Sequence, residues 1–291
     1  MPPTPTQSIL NWNIDLIEKG YIMNRYIKME LKRAFVNKRM FFALIFGIGL
    51  SIWHYFAYIY PIRDFIFSGE YCLSSYNKWL GGESYSLQST LFYMFIPIVC
   101  ALPYGESWMY DCTSSIGEQA ITRGSKRAFI LTKMAISFLS GAIIAVLPLL
   151  FDFALTSCTL PAIIPKVSLG LSPIGTEALM GELFYEHPLV YTMVYIGLNG
   201  LFFGLLNTFS IAARMFTSNR YLSVLTPYLF YMVLHCVGTT TLHFELCPTG
   251  FLRPCQQFLT TWFILIFELL LMMTISVISA VKYTREEHGL L

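Results

Sequence analysis

A single glutamate, Glu268, stands in the middle of an apolar run from Phe258 to Val281. An acid at the centre of a lipid-spanning helix costs about 2.5–3.5 kcal/mol on insertion scales. It must therefore face protein or a water-filled cavity, find a partner, or carry a proton. Its chemistry would be that of a pathway carboxylate or of a buried structural hydrogen bond. The second stretch with chemical character is YGESWMYDCTSSIGEQAITRGSKR, Tyr104 to Arg127. It carries Glu106, Asp111 and Glu118, then closes on Arg123, Lys126 and Arg127 directly before a long apolar run. Charges of both signs on a helix-forming segment of this length suit docking of a soluble partner, because a plain connection between two helices needs only a handful of residues. The alternative is that the three cations only anchor topology.

The residue types that catalysis needs are present without the spacing. No GxxxxGK[ST] cradle is found, so this chain does not bind and hydrolyse ATP in that way. Neither an HExxH helix nor a GxSxG elbow exists. His54, His187, His235, His243 and His288 are scattered, and no CxxC or Cys/His spacing marks a metal. His54 and His235 lie in apolar runs and read as packed, hydrogen-bonded side chains. Asp152, near the far end of its own apolar run, is expected to reach the membrane interface. An intramembrane enzyme would have to use Glu268 with His54 or His235. We expect no catalytic residue and no metal ligand. Cys72, Cys158, Cys247 and Cys255 share one set of loops, where two disulfides, with Cys247 and Cys255 the nearest pair, or unpaired thiols are both compatible with the sequence.

The elements that hold these residues follow from composition. Of the 291 residues, 55% are hydrophobic and only 12% charged, with a mean hydropathy of +0.58. A soluble domain carries about 25% charged residues, so the chain belongs to the membrane class. A net charge of +2 gives no footing for a nucleic-acid partner. The opening MPPTPTQ lacks the basic start and early apolar core of a cleavable signal. A helical span needs roughly 20 apolar residues. Six stretches fit: Met40–Tyr60, Leu87–Tyr104, Phe129–Leu155, Leu189–Ala212, Tyr221–Thr240 and Phe258–Val281. Gly200 and Gly204 form a GxxxG in the fourth, which we read as internal packing.

The chain divides accordingly into an N-terminal tail 1–20, an amphipathic helix 21–39, a transmembrane domain 40–282 and a short tail 283–291. The transmembrane domain has an inner loop 104–128 and outer loops 61–86, 156–188 and 241–257. The fold class is an all-α membrane protein with six transmembrane helices. Of the 19 Lys and Arg residues, only Arg63, Lys78, Lys166 and Arg253 fall in the outer loops. Their absence there and their density elsewhere place both termini in the cytoplasm. In 21–39, Met23, Ile27, Leu31 and Phe35 recur every four residues with Arg25, Lys28, Lys32 and Arg39 on one flank. Such a helix lies in the headgroup layer near anionic lipid, packs on a partner, or extends the first span. A helix beginning at Thr113 or at Ser114–Ser115 is expected inside the inner loop.

These features together resemble the permease subunits of type-2 ABC exporters, in particular the small firmicute-type permeases. The local likeness runs over Tyr104–Gly141, with Glu106, Gly117, Arg123, Ser125, Lys126, Arg127 and Lys133 at the positions that match, and is supported by LFYEHPLVYTMVYIGLNGLFFG. The resemblance implies a separate ATPase dimer that holds ATP and magnesium, a coupling helix in the inner loop that docks on it, and no cofactor in this chain. It implies a second permease copy or a paralogue enclosing a pathway for a peptide, antibiotic or other amphipathic compound. It also implies a location in the cytoplasmic membrane and re-entrant helices after the fifth span. The alternative is a non-transporting immunity or sensor protein of the membrane.

Overall fold

Asn37 sets where the chain turns from its first helix into its second. Helix α1 covers 26–35. The carbonyls of Arg33 and Ala34 accept hydrogen bonds from Asn37 Nδ2 at 2.6 and 3.0 Å. The Asn37 side-chain oxygen in turn accepts from the Met40 amide at 2.6 Å and caps α2, Lys38–Ile62. One side chain closes one helix and opens the next. Besides the short helices Ser75–Lys78, Gly181–Glu186 and Pro248–Leu252, there follow α3 Leu87–Ala101, α4 Ser107–Thr113, α5 Lys126–Thr159, α6 Pro188–Met215, α7 Arg220–Thr240 and α8 Trp262–Arg285. The computed structural model describes residues 24, 26–65, 73–83, 86–114, 126–165, 174, 178–255 and 260–285, and no strand occurs among them.

Helices α2, α5, α6, α7 and α8 are long and apolar enough to cross a membrane. The chain is a multi-pass, membrane-embedded helical protein with five such helices among the described residues, where six spans were expected. The difference is α3, whose 15 residues extend about 22 Å at 1.5 Å per residue, against a hydrocarbon core of about 30 Å. Ser86 caps its start by accepting from the Ser89 amide at 3.1 Å. It ends at Ala101: Leu102 keeps helical backbone angles with its amide on the Val99 carbonyl, and Pro103 has no amide with which to continue the ladder. Outward-facing Phe41, Phe42, Phe263, Phe267, Leu270 and Ile278 form an apolar exterior suited to lipid.

The core is built on the α5–α6 pair. A Cβ on Gly200 would stand 2.6 Å from Val146, and one on Gly204 2.8 Å from the Phe138 ring. The absent side chains let the two backbones approach, and polar groups use the proximity: Asn207 Nδ2 donates to the Ser137 carbonyl at 2.7 Å. The GxxxG therefore packs internally. Two segments assigned to outer loops are inserted into the bundle instead. Trp79 and Leu80 are fully buried, as are Phe251 and Leu252 of the short helix Pro248–Leu252. Asp152 is consequently buried, not interfacial. Its Oδ1 lies 3.0 Å from His54 Nδ1, and its Oδ2 accepts from the Leu80 amide at 2.6 Å, a donor delivered by the inserted segment. No disulfide joins Cys247 to Cys255: the first sits against the His235 carbonyl and the second against that of Gly81.

At one end of the bundle, the Tyr26 ring lies 4.9 Å from Phe129, and Trp108 packs on Phe129 and on Tyr283 at 5.9 and 5.2 Å. Helices α1 and α4, the start of α5 and the end of α8 thus share what we call the basic end. The packing argument has a direct check in detergent. Gly204→Val is expected to lower the unfolding temperature by the equivalent of about 1–3 kcal/mol, the range for overpacked cores. Gly197→Ala, where an added Cβ meets nothing within 4 Å, should leave it unchanged.

Candidate functional site

The basic end encloses a cluster of buried charge. Glu30 on α1, Asp111 on α4 and Lys133 on α5 are all fully buried side chains, and Arg33 on α1 is partly so. Lys133 Nζ lies 2.9 Å from Glu30 Oε2 and also contacts Asp111 Oδ2. Arg33 Nη1 reaches Glu30 Oε1 and Asp111 Oδ1, each at 2.9 Å. The Tyr104 hydroxyl donates to Glu30 Oε2 at 2.6 Å, and the Lys133 ammonium lies 5.2 Å from the Tyr104 ring centre. Two carboxylates and two cations give a neutral set, which is the condition for holding ions away from water.

Local structure delivers each member. Glu30 and Arg33 are one turn apart on α1, so their side chains meet. The α1 stripe of Leu31, Ala34 and Phe35 packs on Tyr104 and Ile136, so it covers the bundle and is not spent on lipid. Helix α4 has Glu106 at its cap position and ends at Thr113, whose hydroxyl donates back to the Met109 carbonyl at 3.1 Å. The helix expected to begin at Thr113 or Ser114–Ser115 would run into residues 115–125, which lie outside the described residues. Inward-facing Trp108 and Asp111 anchor α4 itself. Burial by itself pushes the Glu30 carboxyl up, but the Lys133 ammonium, the Tyr104 hydroxyl and the Arg33 guanidinium together hold it below its ordinary value of 4.5. Arg33 is correspondingly held above its ordinary range: burial opposes its charge, but Glu30 and Asp111 outweigh that.

The residues assigned to partner docking separate into three groups. Glu106 is at the rim, where Arg39 pairs with it. Asp111 faces inward, so its carboxylate is no part of a docking surface. Gly117, Glu118 and Arg123 lie outside the described residues. Lys126 and Arg127 begin α5, and Arg127 is exposed. Glu268 is separate from all of them. It is 1% exposed on α8, and neither carboxylate oxygen has a hydrogen-bond partner. It makes no hydrogen bond to His54 or His235. No group of His, Cys, Asp and Glu arranged to hold a metal ion exists among the described residues.

Sequence reasoning does not single out Glu30 or Tyr104; it counts Arg33 only as a basic residue and Lys133 as a basic residue at a position of the family resemblance. The signal that was available is Lys133 itself: a lysine several residues inside an apolar run needs an acid from a facing element, and Glu30 with Asp111 are the nearest polar-helix candidates. The fold and the cluster define a class, a polytopic helical membrane protein with an ion-paired collar at one end. Compared with protein-family models, with curated proteins and with solved structures, the chain matches none.

Two expectations test this site. Glu30→Gln leaves two cations facing one carboxylate and should cost about 3–5 kcal/mol, the loss seen when one partner of a buried pair is removed. Adding Lys133→Met restores neutrality and should recover part of that loss in a double-mutant cycle. Glu268→Gln, by contrast, removes an unpartnered acid and should leave the unfolding temperature unchanged or higher. The pH dependence has a definite sign: because the Glu30 carboxyl is held below 4.5, its contribution is complete above that value and is lost as pH falls through the lower folded value. Thermal unfolding between pH 6 and pH 3 should show this loss in the native chain and a flatter profile in Glu30→Gln.

Proposed function

We propose that this chain is the transmembrane permease subunit of an ABC exporter, driven by a separate ATPase dimer that docks at the basic end. One observation carries the reading. The buried cluster ties α1, α4 and the 34-residue helix α5 into one unit, so a push on the segment between α4 and α5 is delivered along α5 through the whole bundle. A chain with no ATP cradle of its own needs such a lever if it is to be driven by another protein's ATP cycle. The exposed Arg127, the rim pair Arg39–Glu106 and residues 115–125 between the two helices then form the contact surface. In this reading ATP and magnesium belong to the partner, and a second copy or a paralogue completes the pathway. The cargo is a peptide, an antibiotic or another amphipathic compound. The basic end faces the cytoplasm of a bacterial cell, in keeping with the bias of Lys and Arg to that side, and both termini are cytoplasmic.

The enzyme alternative would need Glu268 beside a histidine, and no such pair is formed among the described residues. The test begins with the chain purified in mild detergent from its native host, where an ATPase subunit should co-purify. In the complex reconstituted in liposomes, Glu118→Lys combined with Arg123→Glu should reduce substrate-stimulated ATP hydrolysis and transport by about tenfold or more, roughly the loss of one charge-assisted contact. Membrane insertion and unfolding temperature should not change. Undiminished stimulation and transport in that double variant would show that the segment is not the docking element. Finding no ATPase with the native chain would remove the reading altogether.

A further inference from the structure

At the end of the bundle away from the charge cluster, α3, α7 and the Phe244–Arg253 segment enclose a cavity of about 420 Å³. Its wall is mostly apolar, with Met94, Met232 and Phe244 along it. Its polar members are Thr90, Tyr231, His235, Thr239, Thr249 and Arg253, and the Thr249 hydroxyl lies 3.5 Å from His235 Nδ1. Tyr231 is 1% exposed, and its hydroxyl has no hydrogen-bond partner. Arg253 is half-buried. Its Nη2 donates to the Ser89 carbonyl at 3.4 Å, and its Cζ lies 4.9 Å from the Tyr93 ring centre. Its Nε has no partner, and among the described residues no carboxylate pairs with it.

A half-buried cation without a counter-ion and a fully buried hydroxyl without a partner are both costly. Both groups line one cavity, and among the described residues no Asp or Glu does. Glu268 is not in its wall. The Tyr93 ring and the Ser89 carbonyl hold the guanidinium in place, so an incoming anion would meet a preformed donor. The flexible methionines beside it would adapt to an alkyl or mixed apolar chain, and the volume is in the range of small-ligand pockets, about 300–1,000 Å³. We propose that this cavity binds an anionic amphiphile. The charged head, a carboxylate or phosphate, is paired with Arg253 and accepts from Tyr231, and the apolar body lies along Met94, Met232 and Phe244. The site stands independently of the transport reading, since it needs neither an ATPase nor a second permease. The occupant comes either from the membrane, as an acidic lipid, or from outside it, as a free acidic amphiphile.

The experiment uses the purified full chain in maltoside micelles, with dansyl-undecanoic acid as the probe and its uncharged methyl ester as the comparison. The acid should bind at least about tenfold more tightly than the ester, the equivalent of one charge-assisted contact. Arg253→Gln should bring the acid down to the affinity of the ester while leaving the ester unaffected. Met94→Trp, which fills the cavity from an exposed position on α3, should weaken both. Equal binding of acid and ester, or undiminished acid binding in both variants, would overturn the proposal. If Arg253→Gln does not fold, Tyr231→Phe carries the test, because it deletes only the unpartnered hydroxyl. It should weaken the acid several-fold at an unchanged unfolding temperature, and unaltered acid binding would count against the site. Phosphatidylglycerol added to the micelles separates the sources. Competition with the probe assigns the site to membrane lipid, and absence of competition to a free amphiphile. Equal competition by phosphatidylcholine would show that charge is not what the cavity recognises.

Discussion

The pairing of Lys133 with Glu30 and Asp111 is the constraint on which the basic end depends. A lysine on a spanning helix has no favourable state in a low-dielectric interior unless acids come to it, and here they come from two other helices. Helix α1 has to fold back against α5 to bring Glu30, and α4 has to turn its Asp111 face inward. Arg33 then balances the second carboxylate, and Tyr104 occupies a remaining lone pair of Glu30. Because each member would be strongly unfavourable alone, the cluster has no graded intermediate: the three helices are docked together or not at all.

Buried charge is handled in three ways along the molecule, and the differences sort structure from function. At the basic end the ions are fully compensated. Toward the far end of α5, Asp152 is held by His54 and by a backbone amide from the inserted 73–83 segment, which fixes that segment over the helix. Glu268 and Arg253 are not compensated from within. Among the described residues Glu268 has no hydrogen-bond partner and Arg253 no counter-ion. Uncompensated polar groups in an apolar setting are expensive to keep, and at Arg253 the proposed anion would supply the missing charge.

The spanning helices other than α3 were legible in the sequence because lipid imposes a length and an apolar composition that few other constraints imitate. The shortfall of α3 was signalled by Pro103, but hydropathy alone carried the reading on to Tyr104. The inner segment was recognisable as more than a connection, yet the helix Ser107–Thr113 in its first half was not anticipated. Thr113 and Ser114 are good helix starters by residue type, and here they close a helix whose inward face is set by Trp108 and Asp111. Asp111 itself shows the same limit: a carboxylate on a polar segment reads as exposed until the helix that faces it is known. The 61–86 and 241–257 stretches read as loops because they are short and interrupted. Their described parts 73–83 and 248–255 are instead largely buried, since tertiary contacts supply apolar surroundings that these pieces could not announce by themselves.

What the amino-acid order determined by itself was the solvent: 55% hydrophobic residues with 12% charged leave a chain of this length no stable arrangement but helices in lipid, with cations gathered toward one side. Those properties depend on local composition and on the fixed thickness of a bilayer, so one dimension suffices to read them. Which charges meet was decided in three dimensions. Glu30 and Lys133 are 103 residues apart, and nothing short of helix packing brings an acid and a base across such a separation. The same holds for the anion site, where Tyr231 and Arg253 acquire a shared cavity only when Pro248–Leu252 folds back into the bundle.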